Sequence, residues 1–450
     1  MTNSTQHRSI HLGWLGNISP KYLVVAIVIT TLGYLVQINS PLRLNSDNSN
    51  LLTMAYSYIH TGDYLVNGRE SHLPSGYPFF VYILDKIGAA NAFGLVLVNI
   101  GLIGVGIISF VGIIKKGYPR LTKTSPIICL LTLMSFVVLK YSALAQSEAL
   151  FFATSLLALR CGIGIEGTWS RRLFYWALFA ILSGISIWVR TIGIFLIPAV
   201  AASLYPVLFN QNFSKFIEHI NRRHLTLIIL IIIGLFCGIY ALVHETLYWK
   251  YLFRGYIGNF DLLISHLAGK LTVLFQLFGN IPPRFIDASP IALNIICGLF
   301  LLFSIFTGFW AVRKKIGIIE IYLGATIGAL FLWPAVQPRF WMAILPFLFL
   351  YGIIGLEKAL TSSGFQFLMK TWVLGFIVLG IAGLSYSISL TLDRDTFPSR
   401  YGNQVLTEVY RAAMDGTCPK NINSINYLAY QALMRFDPSM KPAKIKCVPG

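Results

Sequence analysis

Long apolar stretches separated by polar connections set the pattern of this chain. They fall at residues 22–38, 89–114, 126–139, 149–165, 173–189, 192–209, 225–243, 291–312, 316–332, 341–356 and 371–392. Most approach the roughly 20 residues that an α-helix needs to cross a hydrocarbon layer about 30 Å thick. Inside lipid a helix satisfies all of its own backbone hydrogen bonds, which an open strand does not. The pattern therefore predicts an all-α integral membrane protein with about eleven transmembrane helices. The stretch at 126–139 is short and is expected to be tilted or incomplete. Polar residues lead the first stretch and no small-residue cleavage site follows it, so it is expected to remain as an anchor.

Between the apolar stretches, three polar segments are long: 39–88, 244–290 and 393–450. In the first, Leu51, Leu52, Ala55, Tyr58 and Ile59 recur at helical spacing and predict an amphipathic helix lying in the membrane interface. Gly62 is placed to end it, and Pro74, Gly76 and Pro78 to turn the chain back toward the membrane. The second segment is expected to hold one or two interfacial helices, with Pro282 and Pro283 before the return. The expected organisation is a transmembrane region at 1–392, which would carry the chemistry, and a small helical tail at 393–450.

Composition sharpens this picture. Apolar residues make up 56% of the chain, charged ones 12%, and the mean hydropathy is +0.70. Soluble domains carry about 25% charged residues, so lipid must cover part of this surface. The net charge of +18 does not point to nucleic acid, because the basic residues are dispersed over many loops rather than gathered on one face. It points to topology. With the N-terminus in the cytoplasm, Lys115, Lys116, Arg120, Lys123, Arg171, Arg172, Arg222, Arg223, Arg313, Lys314 and Lys315 fall in short inner connections, as the positive-inside rule requires. The three long segments and the C-terminus are then extracytoplasmic.

Cys129, Cys161, Cys237 and Cys297 lie in or beside apolar stretches and read as buried apolar residues. Cys418 and Cys447 both fall in the tail, where an oxidising compartment favours a disulfide between them. No Cys/His spacing suggests zinc.

An Asp47 soon after the first apolar stretch, a helix ending Thr61, Gly62, Asp63, Tyr64, then Pro74, Ser75, Gly76, Tyr77, Pro78 resembles the GT-C superfamily of membrane glycosyltransferases. The likeness is to its protein mannosyltransferase and aminoarabinose transferase groups. Three further places match: Gln146, Ser147, Glu148 before a stretch; Val189, Arg190 through Gly193 between two; and Pro338, Arg339, Phe340 followed by Ile344, Leu345, Pro346. One departure is Asn48, where many relatives carry Glu. The resemblance implies a multi-pass protein of a bacterial plasma membrane. It also implies a polyprenyl-phosphate-linked sugar donor, a glycan, lipid or protein acceptor, inversion at the sugar, and a role in cell-envelope glycan assembly.

The residue chemistry suits such a reaction. A polyprenyl phosphate leaves readily, so a site needs one carboxylate to take the acceptor proton and cations to neutralise the phosphate. Asp47 fits the first role, Arg190 and Arg339 the second. Glu148, Asn48, His72 and Tyr77 are candidates for contacting substrate or supporting those groups. Asp47, Glu70 and His72 are a thin set for a divalent metal. Each also has a plainer reading: Asp47 as a helix cap, the arginines as snorkelling anchors. Asp393, Arg394, Asp395 reads as a polar helix boundary rather than a metal motif. Two other functions stay open: a transporter or lipid flippase, and a non-catalytic assembly subunit of GT-C-like fold.

Overall fold

The computed structural model describes residues 19–209 and 260–441, leaving out 67, 72, 166–167, 287–288, 313–316, 334, 360–362, 402–403 and 420–423. The chain is helical, with a single two-residue hairpin, β1 (Leu65–Val66) and β2 (Arg69–Glu70), among the described residues. In order the helices are α1 (Pro20–Val36), α2 (Ser46–Thr61), α3 (Gly76–Lys86), α4 (Ala92–Gly117), α5 (Ser125–Met134), α6 (Phe136–Ser142), α7 (Glu148–Ile163), α8 (Trp169–Val189), α9 (Ile197–Phe209), α10 (Phe260–Gly279), α11 (Pro283–Ile286), α12 (Ile291–Val312), α13 (Ile318–Leu332), α14 (Leu345–Ala359), α15 (Ser363–Leu392), α16 (Phe397–Tyr401), α17 (Gln404–Asp415) and α18 (Ser424–Phe436). Turns of 3-10 helix at Thr191–Leu196 and Pro338–Ile344 lead into α9 and α14.

Seven helical segments among the described residues are long and apolar enough to cross a membrane: α1, α4, α8, α10, α12, Pro338–Lys358 and α15. The pair α5 and α6, bent by 61° at Ser135, makes an eighth if it is one crossing. That bend is the physical form of the short stretch expected to be tilted. The count of about eleven is not reached for three reasons. The predicted crossing at 225–243 lies outside the described residues. Those at 192–209 and 316–332 appear as shorter helices. The one at 149–165 is the 16-residue helix α7, buried along most of its length. Conversely, α10 is a candidate crossing where only interfacial helices were expected. Its Lys270, read from sequence as a loop residue, is fully buried, and its ammonium donates to the Ala335 carbonyl.

Burial sorts these helices. The α1 and α12 windows are only 22% buried within the protein, whereas Pro338–Lys358 is 89% buried. The first two face lipid; the third is the bundle's axis. Lipid offers no hydrophobic drive between helices, so close packing of small residues holds them. At the crossing of α12 and α14, an added Cβ on Gly355 would stand 1.7 Å from the Ser304 carbonyl, and one on Gly308 1.8 Å from that of Tyr351. Gly355→Val is therefore expected to force the two helices apart. Loss of the monodisperse peak on size-exclusion chromatography in detergent would show it; an unchanged profile and melting temperature would refute the close crossing.

At the end of the bundle where α1 finishes, α2, α3 and the tail helices form a layer. The tail packs on α2 through α18, and Arg435 bridges to Asp85 of α3 at 3.3 Å while lying over the Tyr56 ring. Asp393 accepts from the Thr396 amide and hydroxyl, a local turn ahead of α16, which matches a polar boundary. Cys418 is disulfide-bonded, and Cys447 lies outside the described residues. If the tail is extracytoplasmic, a membrane-impermeant thiol reagent should label Cys418 in intact cells only after reduction. Labelling that needs permeabilised membranes would invert the topology.

Candidate functional site

The first long polar segment builds one wall of the site. Asn45, not Asp47, caps α2: its side chain accepts from the Asn48 amide at 2.9 Å, and Asn48 Oδ1 accepts from the Asn45 amide at 2.5 Å. This reciprocal box satisfies two amide donors of the first turn. Asn48 is fully buried, and its Nδ2 donates to the Arg43 carbonyl at 2.8 Å. Both ends of its side-chain amide are taken by backbone groups of this turn. Freed from capping, the Asp47 carboxylate in the first turn accepts from Arg339.

Glu148 begins α7, where the helix dipole favours a carboxylate. Arg190 ends α8, its amide still bonded to the Ser186 carbonyl at 3.0 Å. The two helices run antiparallel, so Glu148 and Arg190 meet, and Arg190 Nη1 donates to Glu148 Oε1. Arg339, on the 3-10 turn before α14, places Nη2 on Asp47 and Nε 3.6 Å from the same Glu148 oxygen. The structure thus brings together four of the residues picked from sequence, in a chain Asp47–Arg339–Glu148–Arg190. Phe340 packs beside both guanidiniums, its ring centroid 5.0 Å from Arg190 Cζ and 5.1 Å from Arg339 Cζ. Neither arginine is a snorkelling anchor: their side chains are 13% and 10% exposed and turned inward on carboxylates.

The two acids differ sharply. Glu148 is 1% exposed, and Asp47 is 39% exposed. A buried carboxylate between two arginines acts as their counter-ion; an open one can meet a substrate. Two polar atoms of the cluster, Glu148 Oε2 and Arg339 Nε, are buried without a hydrogen-bond partner. Such orphans are uncommon in folded proteins and call for an explanation.

Gly76 lets α3 approach: a Cβ there would stand 2.5 Å from the Trp188 carbonyl, just before Arg190. Trp188 Nε1 donates to Ser75 Oγ at 2.9 Å. Close approach thus explains the Gly within the run Pro74 to Pro78. Tyr77 is buried behind it; burial and then the charge of Glu148 hold its phenol well above the usual pKa, so it stays protonated. Tyr141, at the end of α6, lies within electrostatic reach of all four charged residues. Gln146 accepts from Asn45 Nδ2 at 3.0 Å.

Of the three metal candidates, two lie within the described residues. Glu70 is exposed on β2, His72 lies outside the described residues, and Asp47 is engaged by Arg339. Among the described residues, no three His, Cys, Asp or Glu side chains stand together in a way that could hold an ion.

No family model matches the chain, and no curated protein matches it. Among solved structures it is similar to ArnT from Cupriavidus metallidurans bound to undecaprenyl phosphate, at 13% identity and a TM-score of 0.45, over 88% of this chain and 68% of that one. It is also similar to the Archaeoglobus fulgidus oligosaccharyltransferase AglB in complex with an inhibitory peptide and a dolichol-phosphate, at 13% identity and a TM-score of 0.46, over 95% of this chain and 61% of that one. Both are GT-C superfamily membrane glycosyltransferases. The overlap is loose, and the chemistry of this chain rests on its own side chains.

Proposed function

We propose that the protein is a membrane glycosyltransferase that moves a sugar from a polyprenyl-phosphate donor to an acceptor on the extracytoplasmic face. The single observation that carries this reading is the cluster itself. One accessible carboxylate stands beside two inward-facing guanidiniums that a buried glutamate holds in place.

In this reading Asp47 takes the proton from the acceptor hydroxyl. The oxygen attacks the anomeric carbon, and the bond from that carbon to the phosphate oxygen breaks. The electron pair and the charge pass to the polyprenyl phosphate. A single displacement from the opposite face inverts the anomeric centre. Arg190 and Arg339 meet the leaving phosphate, since guanidinium forks suit its oxygens. Arg339 has a second effect: it donates to Asp47 and so occupies a carboxylate oxygen that an acceptor hydroxyl would need. A phosphate that draws Arg339 toward itself releases Asp47 to act, so donor arrival and base activation are coupled.

The test is transfer from labelled polyprenyl-phosphate sugars by purified protein in membranes. Arg190→Ala is expected to raise the donor KM by roughly tenfold or more, the loss of a charged hydrogen bond being about 1.5–3 kcal/mol. Arg190→Lys should recover only part, because an ammonium lacks the fork. Unaltered donor kinetics in Arg190→Ala would remove the phosphate from this site.

A further inference from the structure

Between the end of α1 and the cap of α2, residues Leu42 to Leu44 run buried and extended, leading to Asp47. Such a segment must satisfy its backbone groups somewhere. The Leu42 amide donates to Asp437 Oδ2 at 2.7 Å, and the Leu42 carbonyl accepts from the Tyr410 hydroxyl at 2.7 Å. The Leu44 amide donates to the same hydroxyl oxygen at 2.8 Å, and the Leu44 carbonyl accepts from Tyr401 at 3.0 Å. All four main-chain groups of Leu42 and Leu44 are taken by side chains of the C-terminal tail, more than 350 residues away.

Arg43, between them, is held from another direction. Its guanidinium donates to Ser40 Oγ, to Ser387 Oγ at 2.6 Å and carbonyl at 2.9 Å, and to Thr391 Oγ1, near the C-terminus of α15. A cation is favoured at that end of a helix. Its carbonyl accepts from Asn48, so the segment is tied directly to the first turn of α2.

The clamping side chains are themselves fixed. Tyr410 is fully buried, edge-on to Phe397 with centroids 5.1 Å apart. Burial raises its phenol pKa far above the usual value, so its proton remains available to the Leu42 carbonyl. The other oxygen of Asp437 accepts from the Ser439 amide at 3.0 Å and hydroxyl at 2.6 Å.

We infer that Tyr410 and Asp437 are positioning residues: the tail clamps the segment 42–44 and thereby holds Asp47 at the acceptor and against Arg339. This rests on the reading of Asp47 as base. The tail's polar side chains engage the backbone immediately upstream of the carboxylate. A reacting group displaced by about 1 Å can cost on the order of 10²-fold in rate, so a clamp of this kind acts on kcat.

The test uses the full chain with a nitroxide on Ser46→Cys, an exposed position beside Asp47, the chain's own cysteines serving as the unlabelled blank. Tyr410→Phe keeps the ring and removes both hydrogen bonds. It should mobilise the nitroxide and lower kcat roughly 10–100-fold with little change in donor KM. Phe397→Leu loosens the same ring cluster but leaves the hydrogen bonds, and should do neither. An unmoved nitroxide in Tyr410→Phe, or equal effects from Phe397→Leu, overturns the clamp. A mobilised nitroxide with unchanged kcat keeps the clamp and removes the base role of Asp47. Should Tyr410→Phe fail to fold, Asp437→Asn carries the same readings.

Discussion

Asp47→Asn is expected to leave a folded protein with about 10²–10⁴-fold less transfer activity, the usual contribution of a general base. Asparagine has nearly the same shape and cannot accept the acceptor proton. The structure makes this substitution cleaner than the sequence suggested, because Asn45 and Asn48 cap α2 and neither is touched. What Asp47 gives to stability is its pair with Arg339; the carboxylate is 39% exposed, and Asn keeps an oxygen that can still accept from the guanidinium, which Glu148 continues to pair. The melting temperature should therefore hardly move while turnover collapses. Transfer at the wild-type rate by a folded Asp47→Asn protein would end the proposed mechanism.

Glu148→Gln is expected to act on both folding and donor use. Glu148 is the shared counter-ion of Arg190 and Arg339, and its side chain is almost wholly buried. The amide carries no charge, so Arg190 loses its carboxylate partner and two neighbouring guanidiniums lose the charge they share. Breaking a buried ion pair from one side costs about 3–5 kcal/mol, which should appear as a lower thermal transition in detergent. The arginines, no longer held apart and aimed, should also bind donor phosphate poorly. The expected signature is a raised donor KM together with lost stability, in contrast to Asp47→Asn. A Glu148→Gln protein with wild-type melting and donor KM would show that the arginines do not depend on it.

Much was legible in the sequence because its signals are local. The apolar stretches announce helices wherever lipid makes backbone self-sufficiency compulsory, and six of the seven long crossings in the described residues fall on predicted stretches. Gly62 does end α2, in the left-handed conformation that glycine adopts without penalty. The misreadings have physical causes too. Helix α10 falls in the segment expected to hold only interfacial helices, and Asp261, His266 and Lys270 interrupt its apolar run. Hydropathy records such a lysine as exposed, whereas a neighbouring carbonyl is holding it inside. The stretch leading into α14 looked like any other crossing, since composition does not distinguish a lipid-facing helix from one enclosed by its neighbours.

The sequence by itself determined the helices, the amphipathic character of α2 and the residue types able to carry charge chemistry. Each of these depends on residues within a turn or two of one another. Only the tertiary structure decided which charges meet. Arg339 lies 292 positions from Asp47, and Arg190 lies 42 from Glu148. It decided that Glu148 rather than Asp47 is the buried acid, and that the tail holds the segment before the site. Those outcomes depend on which ends of which helices pack side by side. Pairing energies fall away within a few ångströms, so a one-dimensional string does not contain them until the bundle closes.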